Sequence, residues 1–214
     1  MAGVPISFPI PGENAIASYS STEIATSTGL VKFYAGDSIS DNSGAAYFLT
    51  NNDSYYSASG AIRAVQAIST YSFPVEFRRP FLVKGIMHLN IPSLLYTTSV
   101  ETVASVIIAN INKIDLDNAT TILYSGAVTH SFVFNPAGTD YKMLGLSYNL
   151  AQTSFKIGEK IELKMYNSKT TGGGNAQAWI GCDPANRTNI APGLTSAWTN
   201  GARLTLGLPT RIEL

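Results

Sequence analysis

Two histidines, His88 and His130, and a few scattered carboxylates are the side chains in this chain whose types could do acid–base, nucleophilic or metal chemistry. A Ser-His-Asp arrangement assembles in space, so linear order alone does not exclude one. No Gly-x-Ser-x-Gly nucleophile turn is present, which counts against an acyl hydrolase. The histidines have no neighbouring thiol or carboxylate at metal-ligand spacing, and each is expected to be a half-buried strand residue. Glycoside hydrolysis needs two carboxylates across a cleft, but Glu76, Glu101, Glu159 and Glu162 all read as solvent-side strand or turn positions. Asp115-Leu116-Asp117-Asn118 and Asp37 with Asp41-Asn42 are oxygen-rich, as calcium sites are, yet neither has a full loop signature, and Asx turns are the expectation. Gly172-Gly173-Gly174 lacks the following Lys-Ser/Thr and helix of a phosphate loop and reads as a flexible hairpin. No catalytic residue, cofactor or metal site is expected.

The aromatic and apolar residues outside regular patterning are better candidates for contact. Tyr47, Tyr55, Tyr56 and Tyr71 cluster in the first third, and Trp179 and Trp198 flank a loop over Asp183–Ala197. Exposed rings of this kind stack on sugars or anchor protein interfaces. Trp179 alternates with its neighbours in a strand and is expected in the core, whereas Trp198 follows an open Gly/Pro/Thr/Ser stretch. Val4, Ile6 and Phe8 give the N-terminal stretch enough apolar surface to dock on a neighbouring subunit or to pack along its own sandwich. The candidate interface or glycan-contact residues are therefore Val4, Ile6, Phe8, Tyr55, Tyr56 and Trp198.

Period-two alternation dominates the elements that would carry these residues. In Lys160–Tyr166 the apolar Ile161, Leu163 and Met165 share one face while Glu162 and Lys164 share the other, the pattern of a half-buried antiparallel strand. Leu204, Leu206 and Leu208 repeat it, and Leu82, Ile86 and His88 do so less regularly. Further strands are expected at Gly29–Ala35, Ala45–Leu49, Phe73–Phe77, Phe81–Ile91, Val100–Lys113, Thr121–Tyr124, Ser131–Phe134, Lys142–Asn149, Gln177–Cys182 and Arg203–Leu208. Turn residues at Gly36-Asp37, Asn51-Asn52-Asp53, Asn135-Pro136-Ala137-Gly138 and Gly158-Glu159 separate them. Residues 1–28, with Pro5, Pro9, Pro11 and a Ser/Thr-rich run, read as an extended arm, and residues 29–214 as one antiparallel β-sandwich of jelly-roll type.

Composition limits the partners. Lys plus Arg number 14 and Asp plus Glu 14, so no net charge attracts nucleic acid. Only 13% of residues are charged, against about 25% in an average soluble domain. Cys182 is the one cysteine, which excludes an intrachain disulfide. The apolar stretch around Val103–Ile111 falls short of the roughly 20 residues of a membrane helix. The first residues lack the basic and apolar regions of a signal peptide, so the expectation is synthesis and folding in a host cytoplasm.

The most distinctive pattern is C-terminal: Phe155-Lys156-Ile157-Gly158-Glu159-Lys160-Ile161-Glu162-Leu163, then Trp179-Ile180-Gly181-Cys182-Asp183-Pro184-Ala185-Asn186-Arg187-Thr188, then Leu204–Leu214. With Lys32-Phe33-Tyr34-Ala35-Gly36 and Pro80–Gly85, it resembles uncharacterised structural proteins of tailed viruses of bacteria and archaea. That pattern commonly has His where Cys182 stands here. The resemblance implies a virion-associated β-sandwich with no catalytic residues: a capsid decoration, turret, fibre or coat component. The expected partners are copies of itself in a homo-oligomer and other virion proteins, with neither nucleic acid nor membrane. The rival expectation is a carbohydrate-binding module for host attachment.

Overall fold

The computed structural model describes residues 17–18, 28–40, 44–51, 64–66, 69–181, 189–190, 198–199 and 204–211. Its strands are β1 (Ala17–Ser18), β2 (Thr28–Ser40), β3 (Gly44–Thr50), β4 (Ala64–Gln66), β5 (Ser69–Glu76), β6 (Phe81–Thr97), β7 (Thr102–Ile114), β8 (Thr120–Val133), β9 (Gly138–Phe155), β10 (Lys160–Thr171), β11 (Gln177–Gly181), β12 (Asn189–Ile190), β13 (Trp198–Thr199) and β14 (Thr205–Arg211). All strand pairings among the described residues are antiparallel.

One sheet is built on β6, which pairs along its length with β9 and, on its other side, with β14 and then β11. Strand β14 continues to β2, and β2 to β3 and β1, while β11 continues to β4. The second sheet runs β5-β10-β7-β8. Strands distant in sequence are neighbours in both sheets, the crossed-over order of an antiparallel β-sandwich. The expected fold class is the one observed.

Alternation places the core between the sheets. Ile161, Leu163 and Met165 on β10, with Ile107, Ala109 and Ile111 on β7, meet Val83, Met87, Leu89 and Ile91 on β6 and Leu206 and Leu208 on β14. A smaller cluster of Leu95, Val103, Phe134, Ala176 and Ala178 lies towards one end. On β6 the inward set is the odd-numbered one. Leu82, Ile86 and His88 therefore face outward, contrary to expectation, and Ile86 is exposed. Both faces of that strand are rich in apolar residues, so alternation alone could not choose. The expected strands Thr121–Tyr124 and Ser131–Phe134 are one strand, β8. The Tyr124 hydroxyl lies across the intervening Gly126, where a Cβ would have to displace it.

Candidate functional site

Between the two apolar clusters, neighbouring strands place polar side chains on inward positions at one level. On β6 the inward series is Ile91, Ser93, Leu95; on β7 it is Val103, Ser105, Ile107; on β8 His130 follows Val128; on β10 Asn167 follows Met165. Ser105 and His130 are direct partners in the β7–β8 ladder.

These groups form two hydrogen-bonded chains. The Ser93 Oγ lies 2.8 Å from His130 Nδ1, and His130 Nε2 lies 2.7 Å from Asp140 Oδ2. Ser105 Oγ donates to Asn167 Oδ1 at 2.5 Å, and Asn167 Nδ2 donates to the Ala178 carbonyl at 3.1 Å. The first chain joins β6 and β9 of one sheet to β8 of the other, and the second joins β7 and β10 to β11. His130 is 0% exposed and Ser93 1%, while the Asp140 side chain is 25% exposed at the rim between β8 and β9. Burial pushes the His130 imidazole below its ordinary pKa. The Asp140 carboxylate opposes that shift, and Lys142 adds to it. With the ring neutral, Nε2–H donates to Asp140 and Nδ1 accepts the Ser93 hydroxyl proton.

The residue types are those of an acyl-transfer triad, but the ring is reversed relative to the serine-protease template, in which Nε2 faces the serine. Ser93 sits in mid-strand between the ladders to β9 and β11, opposite Lys142 and Ile180. In this conformation the arrangement ties the sheets together and shields the serine from any substrate. His130 is fully buried rather than half-buried, whereas His88 lies on the outer face, 3.0 Å from Ser147 Oγ. Sequence reasoning missed the site. The available signal was a polar residue interrupting the inward apolar series on β6 and again on β7.

The carboxylates depart from expectation in part. Glu159 is buried; its Oε2 lies 2.7 Å from Lys113 Nζ and accepts the Lys156 amide at 2.8 Å, which together hold its carboxyl below the usual range. Glu162 accepts from Ser72 Oγ and from Asn112 Nδ2. Glu101 accepts from Thr97 Oγ1 and the Gly173 amide, which lower its pKa. Lys169 Nζ donates to the carbonyls of Gly173 and Ala176, so the glycine run is a pinned turn rather than a loose hairpin. Asp115 Oδ1 accepts from the amides of Asp117 and Ala119, and Asn118 has φ 62°, an Asx turn as expected.

Of the expected contact residues, Val4, Ile6, Phe8, Tyr55 and Tyr56 lie outside the described residues, as does Cys182. Trp198 is placed only by its backbone, which pairs with Ile190. Trp179 is not in the core. Its neighbours Ala178 and Ile180 point inward, and Trp179 is half-buried on the outer face with its indole N–H donating to Gln177 Oε1.

No family model and no curated protein matches the chain. Among solved structures it is similar to an aminopeptidase from a marine sediment archaeon, Thaumarchaeota archaeon, with a TM-score of 0.52 and 7% identity over 86% of this chain and 37% of that one. A CocE/NonD family hydrolase from Staphylococcus aureus gives 0.49 and 11% over 95% and 38%. The infectious bursal disease virus Gx strain structure gives 0.32 and 12% over 87% and 37%. The chain thus spans under two fifths of each of these three chains. The aminopeptidase likeness shows the β-sandwich fold alone. It also corrects the expectation of a chain with no enzymatic activity. A fold that hydrolases contain is no ground for excluding a reaction, and the missing nucleophile turn did not preclude a Ser-His-Asp chain. The virus just named is not a tailed virus of bacteria or archaea.

Proposed function

We propose that the chain is a structural component of a virus particle, in a capsid-decoration, turret, fibre or coat position, that assembles with copies of itself and with other virion proteins. The observation that carries this reading is the apolar surface of the sandwich. Ile86, Tyr141 and Met143 are exposed on the β6–β9 sheet, and Ile108, Ile122 and Val133 on the other. In a chain with only 13% charged residues, such surface is expected to be covered by subunit contacts. The proposed arm of residues 1–28, through Val4, Ile6 and Phe8, would add to those contacts, as would Tyr55, Tyr56 and Trp198. Sedimentation of the full-length chain should give a discrete homo-oligomer, and a broad glycan array should give no specific binding. A monomer at all concentrations, or saturable glycan binding lost in Trp198→Ala with the fold intact, would overturn the reading in favour of a carbohydrate-binding module.

One observation favours a second reading, hydrolysis: the Ser93–His130–Asp140 chain. It requires the rim between β8 and β9 to open so that Ser93 Oγ meets an acyl group. A fluorophosphonate probe that labels Ser93 in the native protein, and not after His130→Ala, would establish it; no labelling would remove it.

A further inference from the structure

Strand β8 closes one side of the β5-β10-β7-β8 sheet and, among the described residues, pairs with β7 alone. Sheet edges offer unpaired amides and carbonyls, and proteins ordinarily blunt them with charges or proline. The opposite edge of the same sheet, β5, carries Pro74 and Glu76. Strand β9, which flanks β8 across the rim of the sandwich, carries Asp140 and Lys142. Strand β8 runs for 14 residues, Thr120–Val133, without Asp, Glu, Lys, Arg or Pro, and is rich in Thr, Val, Ile, Phe and Tyr. Its one titratable base, His130, points inward.

The backbone phase shows which amides have no strand partner among the described residues. Phe134 donates its amide to the Glu101 carbonyl at 2.9 Å, and Thr102 faces Val133 in the ladder. Alternation then turns the amides and carbonyls of Ser125, Ala127, Thr129 and Ser131 away from β7. The register irregularity between Ile111 and Asn112 ends the straight part of β8 near Tyr124, leaving a regular edge over residues 124–133. Ser125, Ala127, Thr129 and Ser131 are all exposed and all small, so none of these side chains bars the approach of a second strand.

We propose that this edge pairs with β8 of a second copy of the chain, antiparallel about a two-fold axis, joining two four-stranded sheets into one of eight strands. The occupant follows from register: antiparallel pairing with an identical strand about a two-fold sets 125 opposite 131 and 127 opposite 129, all residues whose amides and carbonyls turn away from β7, and the uncharged β8 brings no like-charge repulsion to that pairing. The two-fold makes the contact self-complementary and closed. It would also cover Phe132 and Val133, the latter 68% exposed. This inference deepens the assembly reading by naming its interface, and it is independent of whether the particle is viral.

Thr129 is the test position, because it is exposed and its amide points outward, so proline there spares the β7–β8 ladder. Sedimentation of the full-length chain should show a two-fold-related association that Thr129→Pro and Thr129→Lys each weaken about tenfold or more while Thr129→Ser does not. Hydrogen exchange of the unsubstituted chain supplies a readout free of folding effects. The amides of residues 125, 127, 129 and 131 should be protected at high protein concentration and lose protection on dilution. An associated parent whose oligomer is unchanged by Thr129→Lys, with these amides exchanging freely, would overturn the β8 interface and leave assembly standing. Loss of association only on deleting residues 1–12 would assign the contact to the arm instead. A parent that stays monomeric would defeat both the interface and the assembly reading.

Discussion

The buried Ser93–His130–Asp140 chain makes the acid response of this protein a property of a few atoms. The native site holds its imidazole below the ordinary value of 6.5, with burial the leading cause, so the unfolded chain takes up a proton more readily than the folded one. Stability should be level above pH 6.5 and fall as pH drops from there to the lowered native pKa. Glu159 works in the same direction at lower pH. Its carboxyl is held below 4.5 by Lys113 and the Lys156 amide, so its contribution is present above 4.5 and lost as pH falls through the lowered value. Asp140→Asn removes the group that props up the His130 pKa, so it should widen the window of acid loss rather than abolish it. Urea unfolding between pH 7.5 and 5 reads this directly, and an Asp140→Asn protein less acid-sensitive than the parent would refute the assignment. Ser93→Ala leaves Nδ1 without its donor in the interior and should cost about 1–3 kcal/mol at pH 7.5.

At the scale of elements, the interior is sensitive to side-chain volume and the strand surfaces to shape. Leu163→Ala, at a fully buried position on β10, should cost about 2–5 kcal/mol in the same unfolding experiment. Gly126→Ala should displace the Tyr124 ring from β8 and from its contact with Tyr148, whose ring centroid lies 4.6 Å away, a change visible in near-ultraviolet circular dichroism. Period-two patterning made β10 and β14 legible, because Ile161, Leu163 and Met165 or Leu206 and Leu208 alternate against residues of other character. It failed on β6, where both faces are apolar, and on β8, where the small residues Ser125, Gly126 and Ala127 carry no apolar alternation between the two expected strands. Trp179 was misplaced for a related reason: Ala178 and Ile180 are smaller but fill the inward positions. The polar chain across the sandwich was illegible as a site, since Ser93, His130 and Asp140 come from three strands and meet only when the sheets pack. Glu159 read as a solvent-side turn residue because nothing nearby in sequence announces Lys113.

Among the described residues, the molecule combines a firmly tied interior with several large apolar side chains on its outer faces. Two hydrogen-bonded chains link the sheets, while Ile86, Ile108, Ile122, Val133 and Met143 face outward. That distribution suits a subunit whose fold is set before its surface is covered by neighbours. Deletion of residues 1–12 should weaken association and leave the melting of the sandwich unchanged, as read by sedimentation and circular dichroism; an unchanged mass distribution would confine assembly to the sandwich. The claim that this is a particle subunit is tested most directly by peptide mass spectrometry of nuclease-treated, density-banded virus particles from infected cells that express the chain. The chain should band with the particles in a fixed stoichiometry to their coat protein, and its presence only in the unbanded soluble fraction would contradict the account.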